Sequence, residues 1–294
     1  MSAPDRTARA EESSRERITS YRRGPWSFDV LDEGPLDGTP VLLLHGFPER
    51  ASAWRDVAPV LHAAGLRTFA PDQRGYSPGA RPTRRRDYAM EELTADAVAL
   101  IEEIGGPVHV VGHDWGAMIG WLLGAHHADK VRTLTAASVP HPQAFVRALV
   151  TSRQALTSWY MAMFQLRGLP ERGAREAGGA FDKAMLGGGM TADEVTRFRT
   201  EIVAYGALPG ALGWYRGMPF AGRAFLARHT TVPTTYLWGD ADSGVGRAAA
   251  HACIRYVDGP YTFDVIRGGS HWVPTQHADR CSAAILSRIE ASDS

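Results

Sequence analysis

The residues with the clearest capacity for chemistry lie around Asp114. Residues 110–116 read Val-Val-Gly-His-Asp-Trp-Gly, so Gly112 and Gly116 flank the acid in the spacing G-x-D-x-G. This spacing is typical of a nucleophile elbow, a tight turn between a strand and a helix in which the nucleophile is more often serine. A carboxylate has a free pKa of about 4, so it is ionised at neutral pH and needs no base before it attacks a carbon. The pattern therefore predicts an alkyl ester formed from a carbon that carries a leaving group, as in an epoxide or an alkyl halide.

Two later segments supply partners for such a nucleophile. Trp-Gly-Asp-Ala-Asp ends at Asp242, Gly-Gly-Ser-His-Trp contains His271, and each follows a predicted strand. In elbow enzymes of this kind the nucleophile, the acid and the histidine follow one another along the chain in that order. Asp114, Asp242 and His271 keep the order, whereas a turn whose acid only caps the next helix would not require it. Asp240 is the alternative acid. Asp242 is preferred because one more turn residue lets its side chain reach back toward the histidine.

Two backbone positions are the predicted donors to an oxyanion. His-Gly-Phe-Pro at 45–48 begins at the end of the apolar run Val-Leu-Leu-Leu-His. In elbow enzymes one N–H donor comes from this loop and the other from the residue after the nucleophile. The predicted donors are therefore the N–H groups of Phe47 and Trp115, and an ordinary strand-to-helix loop is the alternative for the first.

Two Trp-Tyr dipeptides in the later chain bear on the leaving group. Opening an epoxide leaves an alkoxide, which needs a proton or a strong hydrogen bond, whereas a halide leaves without a proton. A phenol, with a pKa of about 10, can supply that proton. Tyr160 and Tyr215 therefore favour an epoxide over a halide, although aromatic core packing is the alternative for both. The side chains expected to contact the substrate are Phe47, Trp115, Trp159 and Trp214.

Short apolar runs alternate with helix-length segments, which predicts a mostly parallel sheet flanked by helices. The predicted strands cover residues 17–21, 26–32, 41–45, 66–71, 108–111, 131–136, 233–238 and 261–266, and the predicted helices cover 51–63, 90–104, 115–127 and 278–289. From 141 to 228 the sequence becomes helical, aromatic and glycine-rich. We expect this segment to be a helical cap, inserted between two strands over the sheet edge where ligands bind. Residues 17–140 and 229–294 would form the core domain, and residues 1–16 a disordered polar tail.

The composition argues against several other classes of protein. The 294 residues include 32 basic and 32 acidic side chains, so no net charge favours nucleic acid or an anionic membrane as a partner. No apolar stretch approaches the length of a membrane span, and the first residues lack the apolar core of a signal peptide. Two cysteines in so long a chain do not make a disulfide framework, so we expect a cytoplasmic protein. The oligomeric state stays open, with a homodimer as one alternative.

Several segments together resemble the epoxide hydrolases of the α/β-hydrolase fold, in the branch whose nucleophile is a carboxylate. They are HGFPE at 45–49, DQRGYS at 72–77, GHDWG at 112–116, the segments SWYMAMFQ and GALGWYRGM, and finally WGDAD and GGSHW. The resemblance extends over about residues 17–289. It implies that Asp114 is the nucleophile, His271 the base that activates water, and Asp242 its acid partner.

The resemblance further implies that Tyr160 and Tyr215 donate to the opening ring, and that Phe47 and Trp115 stand at the oxyanion positions. The expected reaction converts a hydrophobic epoxide and water to a vicinal diol, and it needs no metal or organic cofactor. A haloalkane dehalogenase on the same fold is the nearest alternative. A non-catalytic homologue that binds a small molecule is a second one, although it would not need all three of Asp114, Asp242 and His271. A serine esterase is disfavoured because the elbow has no serine.

Overall fold

The computed structural model describes residues 16–293, and its centre is an eight-stranded sheet. The strands are β1 (Ser20–Arg23), β2 (Trp26–Glu33), β3 (Thr39–Leu44), β4 (Leu66–Pro71), β5 (Val108–His113), β6 (Val131–Ala137), β7 (Thr234–Gly239) and β8 (Tyr261–Ile266). Their order across the sheet is β1-β2-β4-β3-β5-β6-β7-β8. The pairs β1–β2 and β2–β4 are antiparallel, and all the other pairs are parallel.

Helices cover both faces of the sheet, as the apolar strands require. Strands β5 and β7 are buried along their whole length, because both faces of the central sheet are covered. Successive strand residues point to opposite faces, so Leu42 and Val110 pack in one apolar cluster while Leu43 and Val111 pack in another. The α-helices outside the 141–228 segment are Ala58–Ala63, Met90–Ile104, Trp115–His126, Arg247–Ala252, Val273–Gln276 and Ala278–Asp293.

The segment between β6 and β7 contains helices and, among the described residues, no named strand. We call residues 141–228 the helical insertion. Its α-helices are Pro142–Thr151, Gln154–Thr157, Tyr160–Met163, Leu169–Arg175, Ala180–Gly187, Ala192–Arg197, Leu208–Gly217 and Arg223–Leu226, with a π-helix at Phe198–Ala204. The predicted fold class, a mostly parallel sheet with a helical segment between two strands, is confirmed. The division into domains at residues 140 and 228 stays a prediction.

A predicted helix and a predicted strand near the start of the chain differ from the structure. The single helix expected over 51–63 is instead a 3-10 helix, Ala51–Trp54, followed by an α-helix, Ala58–Ala63. Proline at the start of the second helix explains the break, because proline lacks an N–H and is best accepted in the first helical turn. The first strand begins at Ser20 rather than 17, where its pairing with Asp29 of β2 begins.

The predicted tail, residues 1–16, lies outside the described residues except for Glu16. Across residues 16–293 the structure contains no helix with the length and apolar character needed to cross a membrane.

Candidate active site

Asp114 occupies a strained turn between β5 and the helix Trp115–His126. Its backbone has φ 53° and ψ −116°, a conformation that a residue with a side chain rarely adopts. Strain of this kind costs about 1–3 kcal/mol and is characteristic of functional turns. A Cβ at Gly112 would clash with the carbonyl of Gly116, and one at Gly116 would clash with the carbonyl of Leu44. Both flanking glycines are therefore required by close backbone approach, as a nucleophile elbow demands.

The carboxylate of Asp114 is held by two groups. Its Oδ1 accepts a hydrogen bond of 2.7 Å from the Phe47 N–H, and its Oδ2 lies 3.3 Å from His271 Nε2. Burial disfavours the charged form, but the His271 side chain and the Phe47 N–H outweigh burial and lower the pKa of Asp114 below its ordinary value. The side chain is therefore an anion at neutral pH, in an orientation that leaves it available to a substrate.

His271 lies between two carboxylates. Its Nδ1 is 2.8 Å from Asp242 Oδ2, and Asp242 Oδ1 accepts hydrogen bonds from the backbone N–H groups of Gly244 at 2.7 Å and Val245 at 3.0 Å. Burial lowers the pKa of His271, but Asp242 and Asp114 together outweigh burial and raise it well above the usual value. Asp240 instead accepts the N–H of Gly268 at 2.6 Å in an exposed position. The structure therefore brings Asp242, not Asp240, to the histidine.

The backbone of His271 is fixed by residues that the sequence analysis did not select. The hydroxyl of Ser138 donates to the His271 carbonyl oxygen at 2.6 Å, and His113 Nε2 lies 2.9 Å from the same oxygen. Ser138 itself has a φ of 70° directly after β6. Its position at the carboxyl end of a strand next to β5 is the only signal in the sequence that could have identified it.

The two predicted oxyanion positions flank the nucleophile. Phe47 already donates its N–H to Asp114. Trp115 is the first residue of the helix after the elbow, where a backbone N–H has no acceptor within the helix. The loop around Phe47 is supported by His45, whose Nε2 accepts the Gln73 N–H at 3.2 Å. Burial lowers the pKa of His45 to about 4, so this side chain is neutral and acts as a structural support.

Tyr160 and Tyr215 lie together above the nucleophile. Both line the same cavity as Asp114 and His271, and their ring centroids are 6.0 Å apart. Burial, followed by the charges of Asp114 and Asp242, raises the pKa of Tyr160. Burial also raises the pKa of Tyr215 well above its usual value, with smaller contributions from Tyr160 and Asp114. Both phenols are therefore protonated at neutral pH and can act as hydrogen-bond donors.

The cavity that these groups share has a volume of about 110 Å³ and mostly apolar walls. Besides the polar groups already described, it is lined by Met90, Trp115, Met118, Val139, Pro142, Phe145, Val146, Met161, Met218, Ala221, Leu226, Gly244 and Val245. Within residues 16–293, no group of three or more His, Cys, Asp or Glu side chains is arranged to hold a metal ion.

The structure places three of the predicted substrate contacts elsewhere. The side chain of Trp159 is 64% exposed and is not part of the cavity wall, because successive residues of a helical turn face different directions. Trp214 is completely buried, donates its indole N–H to the Arg74 carbonyl at 2.6 Å, and packs behind Trp115. The ring of Phe47 packs on Tyr215 outside the cavity wall, so this residue contributes through its backbone. Of the four, only Trp115 lines the cavity.

A family model of the α/β-hydrolase fold matches residues 39–278 of this chain. The chain belongs to the α/β-hydrolase fold family. Among curated relatives, epoxide hydrolase A of Mycobacterium tuberculosis is 33% identical over an alignment that covers 87% of this chain and 92% of that protein. The AB hydrolase superfamily protein YfhM of Bacillus subtilis is 33% identical over 256 residues, which cover 83% of this chain and 87% of that protein.

A solved structure agrees with these relatives. The crystal structure of epoxide hydrolase A from Mycobacterium thermoresistibile superposes on this α/β-hydrolase with a TM-score of 0.77 and 26% identity, covering 92% of this chain and 97% of that one. The predicted resemblance to the epoxide hydrolases and the predicted hydrolase class are both confirmed.

Proposed function

We propose that this protein hydrolyses a hydrophobic epoxide to a vicinal diol through an ester on Asp114. The observation that carries the proposal is the pairing of an ionised carboxylate with two protonated tyrosines around one apolar cavity. The relatives named as epoxide hydrolases support the same reaction.

In the first step, a carboxylate oxygen of Asp114 attacks the less hindered ring carbon, and the bond from that carbon to the ring oxygen breaks. The ring oxygen takes a proton from Tyr160 or Tyr215, so that no free alkoxide accumulates. Esterification removes the negative charge of Asp114, which is one of the two carboxylates that raise the pKa of His271. The imidazolium then releases its proton, which restores the phenol and leaves His271 neutral.

In the second step, neutral His271 takes a proton from water, and the hydroxide attacks the ester carbonyl carbon of Asp114. Asp242 holds the imidazole in the tautomer that presents a free Nε2 to the water. The N–H groups of Phe47 and Trp115 stabilise the oxyanion, and loss of one such donor typically lowers the rate by about 10²–10³. Collapse releases the diol, regenerates the carboxylate of Asp114, and leaves His271 as the imidazolium with which the cycle began.

A single turnover in water enriched in ¹⁸O tests the ester route. We expect the first diol to contain no ¹⁸O, because its new oxygen comes from Asp114, and the peptide that contains Asp114 to gain the label. Label in the first-turnover diol would mean direct attack by water and would refute the route.

A panel of terminal epoxides and matched bromoalkanes separates the proposal from the dehalogenase alternative. We expect diol formation and no bromide release. Bromide release without epoxide turnover would assign the site to haloalkanes, and tight binding without any turnover would favour a non-catalytic role.

A cytoplasmic location is part of the proposal, supported by two buried cysteines that are not joined in a disulfide.

A further inference from the structure

The cavity wall comes from a limited part of the molecule. Its walls away from Asp114 come from Val139 after β6, from the first part of the helical insertion at Pro142, Phe145, Val146 and Met161, from its end at Met218, Ala221 and Leu226, and from Met90 and Met118 of the core. None of the described residues from 162 to 214 belongs to the wall. The cavity reaches the surface at Val146, whose side chain is 53% exposed.

A stack of aromatic rings lies outside the cavity wall, packed against Tyr215. Phe47 and Phe164 pack against Tyr215, with ring centroids 5.1 Å and 4.9 Å away. Phe181 stacks on Phe164 at 6.1 Å, and Phe198 stacks on Phe181 at 5.3 Å. All four phenylalanines are buried. Centroid separations of this size are ordinary contact between rings, which leaves no room between neighbours for an alkyl group.

We propose that the enzyme is selective for terminal epoxides that carry one apolar substituent. The inference rests on the proposed function and adds the class of its substrate. One ring carbon and its substituent lie in the open arm of the cavity, while the other carbon faces the ring stack and has space only for hydrogen. A second substituent on that carbon would have to displace close-packed rings, and overpacking of such an interior is unfavourable.

The wall of the open arm indicates which substituents fit. Four methionines, Met90, Met118, Met161 and Met218, line it. Methionine is unbranched and adaptable, so it accommodates apolar groups of varied shape. The wall outside the catalytic groups offers only apolar side chains, so we expect unbranched alkyl and aryl substituents to be accepted and polar ones to be disfavoured.

Two isomeric substrates test the proposal directly. 1,2-Epoxyoctane places all its carbon on one side of the ring, whereas trans-4,5-epoxyoctane divides it between both sides. We expect the wild-type kcat/KM for the terminal isomer to exceed that for the internal isomer by about 100-fold or more, within the range that pocket fit alone can produce. Values within about threefold of each other would overturn the proposal.

A pair of variants separates the effect of the ring stack on substrate preference from the intrinsic reactivity of the two epoxides. Phe164→Leu replaces the ring that contacts Tyr215 with a smaller alkyl group, and Phe181→Leu makes the same change one ring further along the stack. We expect Phe164→Leu to reduce the preference for the terminal isomer by about tenfold, and Phe181→Leu to change it by less than about twofold. An unchanged preference in a folded Phe164→Leu enzyme would also overturn the proposal.

The wild-type comparison keeps the test valid if either variant fails to fold. It also distinguishes two kinds of failure. If neither isomer is converted to a diol and no ester forms at Asp114, then the proposed function fails. If both isomers are converted equally well, then the proposed function stands and only the one-sided selectivity is wrong.

Discussion

The two halves of the site are positioned by different means. In the core half, Asp114 and His271 follow β5 and β8, and hydrogen bonds to their backbone atoms hold them. The Asp114 N–H donates to Ala137 at 3.2 Å, and the His271 carbonyl accepts from Ser138 at 2.6 Å. In the helical insertion, Tyr160 and Tyr215 are held largely by contacts between rings, such as those to Phe164 at 5.6 Å and 4.9 Å.

This difference separates chemistry from selectivity. Backbone geometry fixes the nucleophile and its base within tight limits, so changes there should remove activity. Ring packing fixes the tyrosine donors and the shape of the cavity. Substitutions among these rings should therefore alter ester formation and substrate choice, while Asp114 stays able to attack. Substitutions in each half should therefore affect different steps of the reaction.

Replacing the nucleophile should have the largest effect. Asp114→Asn keeps the shape of the side chain but removes its negative charge. We expect kcat/KM for 1,2-epoxyoctane to fall by about 10⁵ or more, as for the loss of other covalent nucleophiles. Steady-state diol formation measures it, and a variant that keeps more than about a tenth of wild-type activity would exclude Asp114 as the nucleophile.

The two acids of the β7 loop provide a matched pair. Asp242→Asn removes the carboxylate 2.8 Å from His271 Nδ1, whereas Asp240→Asn changes an exposed group that accepts the Gly268 N–H. We expect Asp242→Asn to slow ester hydrolysis by about 10⁴, through loss of the correct tautomer. Asp240→Asn should leave the rate nearly unchanged. If both variants slowed single-turnover hydrolysis equally, the assignment of Asp242 rather than Asp240 as the partner of His271 would be wrong.

Removing both phenols should slow ester formation and leave ester hydrolysis nearly unchanged. The double change Tyr160→Phe with Tyr215→Phe keeps the ring contacts but removes both donors. We expect ester formation to slow by about 10³, while hydrolysis of an ester already formed changes little. Tyr205→Phe, elsewhere in the helical insertion, is the control. Rapid-quench mass spectrometry resolves the two steps, and equal slowing of both would contradict the assignment.

The rates of ester formation and of ester hydrolysis should depend differently on pH. The pKa of Asp114 is lowered, so the carboxylate stays ionised and ester formation should remain nearly constant down to about pH 5. Hydrolysis needs neutral His271, and Asp242 still raises the pKa of this group in the ester. Hydrolysis should therefore fall by about tenfold per pH unit below that pKa, so that the ester accumulates in acid. Parallel loss of both rates would argue against separate titrating groups.

The core half could be predicted from the sequence because its rules are local. The spacing of Gly112, Asp114 and Gly116 reflects a turn in which added side chains clash. Asp242 and His271 follow strands whose carboxyl ends meet at one edge of the sheet, and the structure brings His271 to Asp114 and Asp242 to His271. Ser138 could not be assigned a role from the sequence, because its position after a strand does not indicate which carbonyl its hydroxyl will reach.

The helical insertion could be predicted only in part. Tyr160 and Tyr215 were selected for their chemistry and line the cavity, whereas the neighbouring Trp159 and Trp214, which were predicted to contact the substrate, do not line it. A dipeptide does not show which way each side chain of a helical turn faces when the packing partners lie far away in the chain. The ring stack could not be predicted for the same reason, because Phe181 lies far from Phe47 in sequence and the two meet in one stack only in the folded chain.

The most direct test of the account is to trap the covalent intermediate. In His271→Ala the base that activates water is missing, so an ester formed at Asp114 should persist. After mixing this variant with 1,2-epoxyoctane, we expect mass spectrometry to find the peptide containing Asp114 heavier by the mass of one epoxide molecule. If no terminal epoxide in the panel yields an adduct at position 114, while the wild-type enzyme consumes the same epoxides, the covalent mechanism is wrong.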